Sequence, residues 1–177
     1  MEAENIEITT LDFSEWRLLK ELRLRALREE PQAFCSAFSR EAAWSDEKWR
    51  QRLQDVKDRR GWIFFAKLDG KLVGMIGGFR NHTDKQKCRA EIWGMYVDKL
   101  ARRKGVGEAL VKRLLVELSK EENVNTVLLE VNANQQPAIQ LYKKLGFDQV
   151  WTEEITFGDG TQGSAMIMEK SICLSEK

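Results

Sequence analysis

The spacing of hydrophobic residues along the 177-residue chain predicts two helices near its N terminus. Residues 15–30 carry an apolar stripe whose members lie about a turn apart, and Pro31 follows, which indicates an amphipathic helix ended by proline. The stripe consists of Trp16, Leu19, Leu22 or Arg23, Ala26 and Leu27. A connector is predicted over 31–44, with Phe34 and Phe38 buried, and a second helix is predicted to begin at Ser45.

Shorter apolar runs, several of them rich in β-branched and aromatic residues, predict seven strands. They cover residues 6–11, 62–68, 71–79, 90–97, 126–131, 149–157 and 164–172. Two further helices are predicted over 106–118 and 138–145. The order βααβββαβαββ predicts an α/β (α+β) fold, with a mixed central sheet of about seven strands flanked by helices, in one domain over 1–177. The unit over 90–131 is expected to be a right-handed crossover between parallel strands.

The stretch over 91–107 joins a predicted buried strand to a helix through a basic turn that contains glycine. The turn consists of Arg102, Arg103, Lys104, Gly105, Val106 and Gly107. Unpaired amides and the helix dipole favour an anion at such a helix start, and glycines let the anion approach the backbone. The turn is therefore a candidate diphosphate cradle; a glycine-rich, solvated helix start is the alternative. Its spacing fits neither a Walker A loop nor a dinucleotide-binding fingerprint.

Composition and charge narrow the chemistry. A net charge of +1 gives no overall field toward nucleic acid or a membrane surface, and neither is expected as a partner. The single histidine, His82, disfavours a Ser-His-Asp triad or a multi-histidine metal site, so no metal is expected. Three widely spaced cysteines, Cys35, Cys88 and Cys173, fit free thiols in a reducing cytoplasm. We see no signal peptide and no run of transmembrane length, and we expect a cytoplasmic protein.

Two motifs together carry a resemblance to a known family. One is the turn Arg102-x-x-Gly105-x-Gly107 after a strand that ends in Met95-Tyr96-Val97. The other is Ala138-Ile139-x-Leu141-Tyr142-x-Lys144-x-Gly146-Phe147. With the order of elements, these motifs resemble the GNAT superfamily of acyl-CoA-dependent N-acyltransferases over residues 6–172.

The resemblance implies acetyl-CoA as the acyl donor. In this family a bulge separates the central strand from its neighbour, and the pantetheine arm lies in the gap. Here the arm would pair with the backbone of Met95 and Val97, with Tyr96 between them, and the acetyl carbonyl would accept a hydrogen bond near Met95. The diphosphate would lie over the amides from Arg102 to Gly107 and extend to Glu108.

The tyrosine motif implies a second set of site residues. The family often has an asparagine three residues before the position of Ala138, in contact with the pantetheine arm. This chain has Gln135 there and Asn134 beside it, so either residue is a candidate for that contact. Tyr142 matches the family tyrosine near the thioester sulfur, which would protonate the leaving thiolate. The alternative is a tyrosine packed in the core with its hydroxyl satisfied.

The proton of the attacking amine needs an acceptor. Glu91 stands at the head of the central strand, where some family members carry a general-base glutamate. A strand-end acid in a salt bridge is the alternative for Glu91. His82, in a polar loop, is a further candidate base, and ordered water serves in many relatives.

The resemblance predicts an enzyme that transfers acetyl to a primary amine by direct attack in a ternary complex. The acceptor, a small amine or a peptide, is expected near the loops around 28–45, 80–89 and 153–162, and Trp93 could border its pocket. The acids that could hold a cationic amine there are Glu29, Glu30, Glu41, Asp84, Glu153 and Glu154. A non-catalytic module that binds acyl-CoA as a sensor or regulator is the alternative function. A homodimer is left open.

Overall fold

The computed structural model describes residues 5–58, 61–80 and 89–172. The strands are β1 Ile6–Thr9, β2 Gly61–Leu68, β3 Lys71–Arg80, β4 Arg89–Val97, β5 Thr126–Asn132, β6 Asp148–Thr156 and β7 Gln162–Ser171. The α-helices are α1 Trp16–Glu29, α2 Phe38–Ala42, α3 Asp46–Asp58, α4 Val106–Leu118 and α5 Gln136–Lys144. No helix in the described ranges is long and apolar enough to cross a bilayer.

The seven strands form one mixed sheet in the order β1-β2-β3-β4-β5-β7-β6. The strands β4 and β5 run parallel, and every other neighbouring pair is antiparallel. The predicted α/β fold with a seven-stranded mixed sheet is therefore confirmed, as is the parallel pairing across the β4-α4-β5 unit.

The predicted connector over 31–44 is not entirely irregular, because it contains the five-residue helix α2. The predicted order of elements therefore lacks one short helix, α2. Five residues span little more than one turn, so no hydrophobic period can reveal such a helix. Phe34 is buried as predicted, and Phe38 is partly buried against the same core.

Side chains pack into two cores, one on each face of the sheet. The face covered by α4 and α5 is called the α4 face, and its core includes Phe64, Ile76, Leu110, Leu114 and Val127. The face covered by α1 and α3 is called the α1 face, and its core includes Leu19, Leu22, Trp49, Phe65 and Met75. The α1 stripe is confirmed, with Leu22 and Arg23 both buried.

An extra residue in β4 breaks its register with β3. Gly77 pairs with Trp93, and Met75 pairs with Tyr96, so a step of two residues in β3 opposes a step of three in β4. The extra residue makes a β-bulge, which kinks the strand. Gly94 has a φ of +64° in this bulge, a left-handed conformation that glycine adopts without a steric penalty.

The bulge also reverses which residues of β4 face which core. Before the bulge, Ala90 and Ile92 lie in the core of the α4 face. After the bulge, Tyr96 lies in the core of the α1 face, while Met95 and Val97 pack against the α4-face core. A regular strand alternates its side chains with a period of two, so one inserted residue exchanges the faces.

Candidate active site

The strands β4 and β5 separate at the bulge. Their parallel ladder covers only Arg89 to Ile92 in β4, yet β4 continues to Val97 and β5 to Asn132. The unpaired ends leave a gap in the middle of the sheet. Backbone groups along such a gap can pair with an extended ligand that carries amides, much as a strand pairs with a sheet edge.

The backbone of β4 is directed into this gap at alternate residues. Asp98 donates its amide to Val73 O of β3 at 2.7 Å, so the amide of Tyr96, two residues earlier, also lies on the β3 side. The backbone groups of Met95 and Val97 therefore face the gap, as their expected role requires. The Val97 carbonyl accepts a hydrogen bond from Arg102 Nε at 3.0 Å.

Tyr96 lies differently from its two neighbours. Its backbone pairs with Met75 of β3, and its buried side chain lies on the α1 face. The hydroxyl donates a hydrogen bond to Glu29 Oε2 at 2.9 Å. Burial, followed by this bond to Glu29, raises the pKa of Tyr96. A contact between Tyr96 and the cofactor stays a prediction, for which the side-chain position gives no support.

The turn before α4 has the backbone shape of an anion cradle. Arg103 and Gly105 have φ values of +63° and +87°. Gly105 is the N-cap of α4, and its carbonyl accepts from Ala109 N at 3.0 Å, so the first amides of the helix have no partner within it. Val106 is buried, and its side chain packs in the core of the α4 face rather than lining the turn. Alternating right- and left-handed residues direct successive amides into one concavity.

Ion pairs modify the charge around this turn. Arg102 Nη2 donates to Glu30 Oε1 at 2.8 Å, which partly balances the charge of Arg102, whereas Arg103 is exposed. Lys104 is exposed as well.

Glu108 lies in the first turn of α4 and accepts hydrogen bonds from Lys112 and Lys144. These two bonds lower the pKa of Glu108 to about 2. The contact with Lys144 ties the beginning of α4 to α5.

The cradle and the gap meet at Gly107. A Cβ added to Gly107 would lie 3.1 Å from Leu141 Cδ2, 3.2 Å from Met95 Cε and 3.7 Å from Val97 Cγ2. The first turn of α4 thus contacts both the unpaired end of β4 and α5. Glycine permits this close approach, since a larger residue would displace those side chains.

Tyr142 lies on the inner side of α5, one residue after this contact. Its ring is buried and packs edge-to-face on Phe147, with 5.9 Å between ring centroids. Among the described residues, none exchanges a hydrogen bond with its hydroxyl, and burial alone raises the pKa of Tyr142. The alternative was a core tyrosine whose hydroxyl has a hydrogen-bond partner. The ring is buried as that alternative requires, but no described residue is the partner of the hydroxyl. A neutral phenol without a partner is suited to donate a proton to a ligand.

The loop between β5 and α5 is organised by Asn132. Its side chain donates to Gln32 O at 3.1 Å and accepts from Asn134 N at 2.9 Å. Gln135 is the N-cap of α5, and the side chains of Asn134 and Gln135 make no hydrogen bond within the described part of the chain. Both therefore remain candidates for the contact to the pantetheine arm. Ala138 packs against the α4-face core at the same end of α5.

The α1 face of the gap carries several polar groups. Glu91 and Trp93 lie two residues apart in β4, before the bulge. Their side chains are therefore on the same face of the sheet, the α1 face. Glu130 of β5 shares that face and accepts a hydrogen bond from Cys35 Sγ at 3.5 Å. Burial, followed by the charge of Glu130, raises the pKa of the Cys35 thiol, which disfavours a nucleophilic thiolate.

Two of the three loops that were expected to surround the acceptor meet on this side. Gly158, at the β6–β7 turn, donates its amide to Phe34 O at 2.7 Å. A Cβ added to Gly158 would lie 2.2 Å from Ser36 O, so the turn docks on the α1–α2 connector with no room for a side chain. His82 and Asp84, in the third expected loop, lie outside the described residues.

Most of the acids proposed to hold a cationic amine already have partners. Glu30 pairs with Arg102, and Glu41 is buried in a two-bond ion pair with Arg23. Glu29 accepts from Tyr96. Glu153 accepts from Trp151 Nε1 at 3.3 Å, and Glu154 accepts from the Ser164 hydroxyl on the exposed edge strand β6.

Sequence reasoning missed three features of this site. Gly94 makes the bulge, Arg23 is buried beside it, and Glu130 lies near Cys35 on the α1 face. A polar residue inside an apolar helix stripe was the one available signal, and it pointed to Arg23. The others depend on contacts between residues distant in sequence.

A family model decides the identity of the chain. Residues 21–147 match the Acetyltransferase (GNAT) family, which is well over half of the chain. This chain belongs to the GNAT acetyltransferase family. It is an acyltransferase enzyme, and the expected cosubstrate, acetyl-CoA, is the one that the family uses.

Individual relatives agree with this assignment. An N-alpha-acetyltransferase from Sulfurisphaera tokodaii is 28% identical over 163 residues, which cover 88% of this chain and 98% of the relative. The L-amino acid N-acetyltransferase AaaT from Escherichia coli is 26% identical over 125 residues, 71% of this chain and 75% of the relative. The protein yncA from Salmonella typhimurium, solved with acetyl-CoA, has the same fold at a TM-score of 0.79, with 16% identity and coverage of 98% of this chain and 96% of that one.

Proposed function

We propose that this GNAT enzyme transfers the acetyl group of acetyl-CoA to a primary amine by direct attack in a ternary complex. The observation that carries the proposal is that the cradle, the gap and the helix of Tyr142 meet at Gly107. This glycine lies against Met95 of the gap and against Leu141, which precedes Tyr142. The names of two relatives describe transfer to nitrogen, which supports an amine as the acceptor.

The residues around the gap fit an extended thioester donor. The gap-facing backbone of Met95 and Val97 pairs with the pantetheine amides, and Asn134 or Gln135 adds a side-chain contact. The amides from Arg103 to Glu108 bind the diphosphate, helped by the helix dipole. The amide of Arg102 already donates to Lys99 O at 3.4 Å. The amide of Met95 polarises the acetyl carbonyl, because a donor fixed in advance stabilises the charge that develops on that oxygen.

Bound acetyl-CoA supplies an activated acyl group: the amine nitrogen bonds to the carbonyl carbon, and the carbon–sulfur bond breaks. Tyr142 donates its proton to the leaving sulfur, since its raised pKa keeps the phenol protonated at neutral pH. Glu91 takes the proton from the amine, directly or through water, on the α1 face of the gap. Cys35 carries no acyl group in this scheme.

Amine-dependent release of CoA tests this function. The purified chain is incubated with acetyl-CoA and, in turn, with amino acids, polyamines, aminoglycosides and short peptides. Release of free thiol is followed over time, and the products are identified by mass spectrometry. We expect thiol release to match formation of an N-acetylated product for one class of amine. Tight binding of acetyl-CoA without any turnover would contradict the proposal and favour an acyl-CoA sensor.

A further inference from the structure

A buried nitrogen of Arg23 has no hydrogen-bond partner. Arg23 is 6% exposed, and its Nε and Nη2 atoms donate to the two oxygens of Glu41 at 3.0 and 2.8 Å. The third nitrogen, Nη1, is buried and donates to no described residue. Buried donors are nearly always paired in folded proteins, so this nitrogen needs an explanation.

The unpaired nitrogen lies beside the bulge in β4. A Cβ added to Gly94 would lie 3.9 Å from Arg23 Nη1. Apart from the chain neighbours of Gly94, no other heavy atom of the described residues would come within 4 Å of that Cβ. Glycine thus leaves a small open space on the α1 face, and Nη1 borders it.

A second guanidinium, that of Arg52, adds a positive charge near Arg23. The Arg52 guanidinium lies 5.2 Å from the centroid of the Trp93 ring, and Arg52 Nε is also buried without a partner. Burial, followed by the nearby charge of Arg23, lowers the pKa of Arg52. Glu41 is the one fully buried carboxylate among the described residues, and the charges of Glu41 and of the half-buried Asp55 act on the pKa of Arg52 in the opposite sense.

We propose that Arg23 Nη1 binds the carboxylate of the acceptor, and that the acceptor is an α-amino acid. This inference rests on the proposed acetyl transfer. Gly94 precedes Met95, and consecutive Cα atoms are about 3.8 Å apart, so a carboxylate at Nη1 lies close to the carbonyl that Met95 polarises. The amine on the adjacent carbon then reaches the thioester from the α1 face.

The same charges disfavour other amines. A polyamine or an aminoglycoside would bring additional cations toward Arg23 and Arg52, and like charges in a site of low polarity repel strongly. A peptide N terminus offers only a neutral carbonyl to Nη1, which makes a weaker hydrogen bond than a carboxylate. The site therefore selects for the negative charge next to the amine.

A matched set of acceptors tests this selection. Alanine, leucine and phenylalanine are each compared with the corresponding amino amide and decarboxylated amine, using kcat/KM at saturating acetyl-CoA. We expect each amino acid to exceed both analogues by roughly 10- to 100-fold, the range for a hydrogen bond to a charged group. Equal values for an amino acid and its amide would overturn the inference.

The variant Arg23→Lys assigns the effect to the unpaired nitrogen. Lysine can still face Glu41 with a positive charge, but it lacks the planar group that presents Nη1. We expect the ratio of amino acid to amide kcat/KM to fall toward one, while Arg17→Lys on the exposed side of α1 keeps the wild-type ratio. An unchanged ratio in folded Arg23→Lys would contradict the assignment. If that variant does not fold, the wild-type comparison decides alone.

The outcomes separate this inference from the function on which it rests. If polyamines or peptides are acetylated and amino acids are not, the proposed acetyl transfer is supported, but Arg23 does not bind a carboxylate of the acceptor. If no amine is acetylated although acetyl-CoA binds, both the proposed function and this inference fail.

Discussion

Gly107 of α4 and Met95 of β4 are in near contact, since a Cβ on Gly107 would lie 3.2 Å from Met95 Cε. This approach joins the anion cradle to the unpaired end of β4. Leu141 approaches the same point from α5, and Tyr142 follows it in sequence. The positions proposed for the diphosphate, the thioester and the proton donor therefore belong to one packed unit, which makes each of them testable separately.

Replacement of Tyr142 by phenylalanine should lower kcat without weakening the fold. Loss of a general acid costs roughly 10²- to 10⁴-fold in rate. The hydroxyl has no partner among the described residues, so its removal should leave the midpoint of thermal unfolding unchanged or slightly raised. Steady-state kinetics measure kcat, and thermal unfolding measures the midpoint. A normal kcat in Tyr142→Phe would show that Tyr142 is not the general acid.

A paired substitution at Gly105 tests the cradle by charge alone. Asn and Asp both tolerate the left-handed φ of +87° better than other side chains, and they have nearly the same shape. Gly105→Asp should weaken acetyl-CoA binding about fivefold or more relative to Gly105→Asn, because two anions a few ångströms apart repel by about 1 kcal/mol or more. Equal dissociation constants for the two variants would show that the diphosphate lies elsewhere.

Glu41→Gln should destabilise the protein at neutral pH by about 3 kcal/mol, because Arg23 is left buried without its counter-charge. Burial alone would oppose ionisation of Glu41, but the bonds and charge of Arg23 outweigh it and lower its pKa. A lowered folded-state pKa stabilises the protein above the unfolded value, about 4.3, and this contribution is lost as the pH falls below that value.

Urea unfolding of Glu41→Gln and the wild type at several pH values measures this contribution. The difference in free energy of unfolding should be constant near neutrality and narrow as the pH falls below about 4. Glu21→Gln, on the exposed side of α1, is the same chemical change at a surface position and serves as a control whose difference from the wild type should be small throughout. A Glu41→Gln difference that does not depend on pH would contradict the charged pair.

Glu91 is the proposed general base, and Glu130 is a second carboxylate on the same α1 face. We expect Glu91→Gln to lower kcat roughly 10²-fold or more and to leave acetyl-CoA affinity intact, because a general base acts on the acceptor only. Glu130→Gln is the matched control on the neighbouring strand and should have a smaller effect. The reverse order of effects would transfer the role to Glu130, and normal pH–rate profiles in both variants would favour ordered water.

The sequence predicted the parts of this site that lie within single motifs. The 102–107 turn and the position of Tyr142 follow from local residue types and from the resemblance to GNAT enzymes. The sheet and its parallel β4–β5 pair were predicted because hydrophobic period and element order are local signals. The short helix α2 was not, since it is shorter than two turns.

Contacts between distant residues could not be predicted in the same way. Arg102 pairs with Glu30, 72 residues away, which changes the charge that the cradle offers. The stripe of α1 offers either Leu22 or Arg23, but both are buried because Glu41 from α2 neutralises the arginine. The resemblance implied a bulge in the central strand, but it did not point to Gly94, because the position of the bulge depends on the register with β3.

Calorimetric titration of acetyl-CoA into the purified chain, with CoA and ATP as parallel ligands, tests the central claim most directly. The arrangement of gap and cradle predicts that acetyl-CoA and CoA each bind one site per chain. ATP should bind far more weakly, because it lacks the amide-bearing arm that pairs with β4. Absence of acetyl-CoA binding at millimolar concentration, or equal affinity for ATP, would contradict the account.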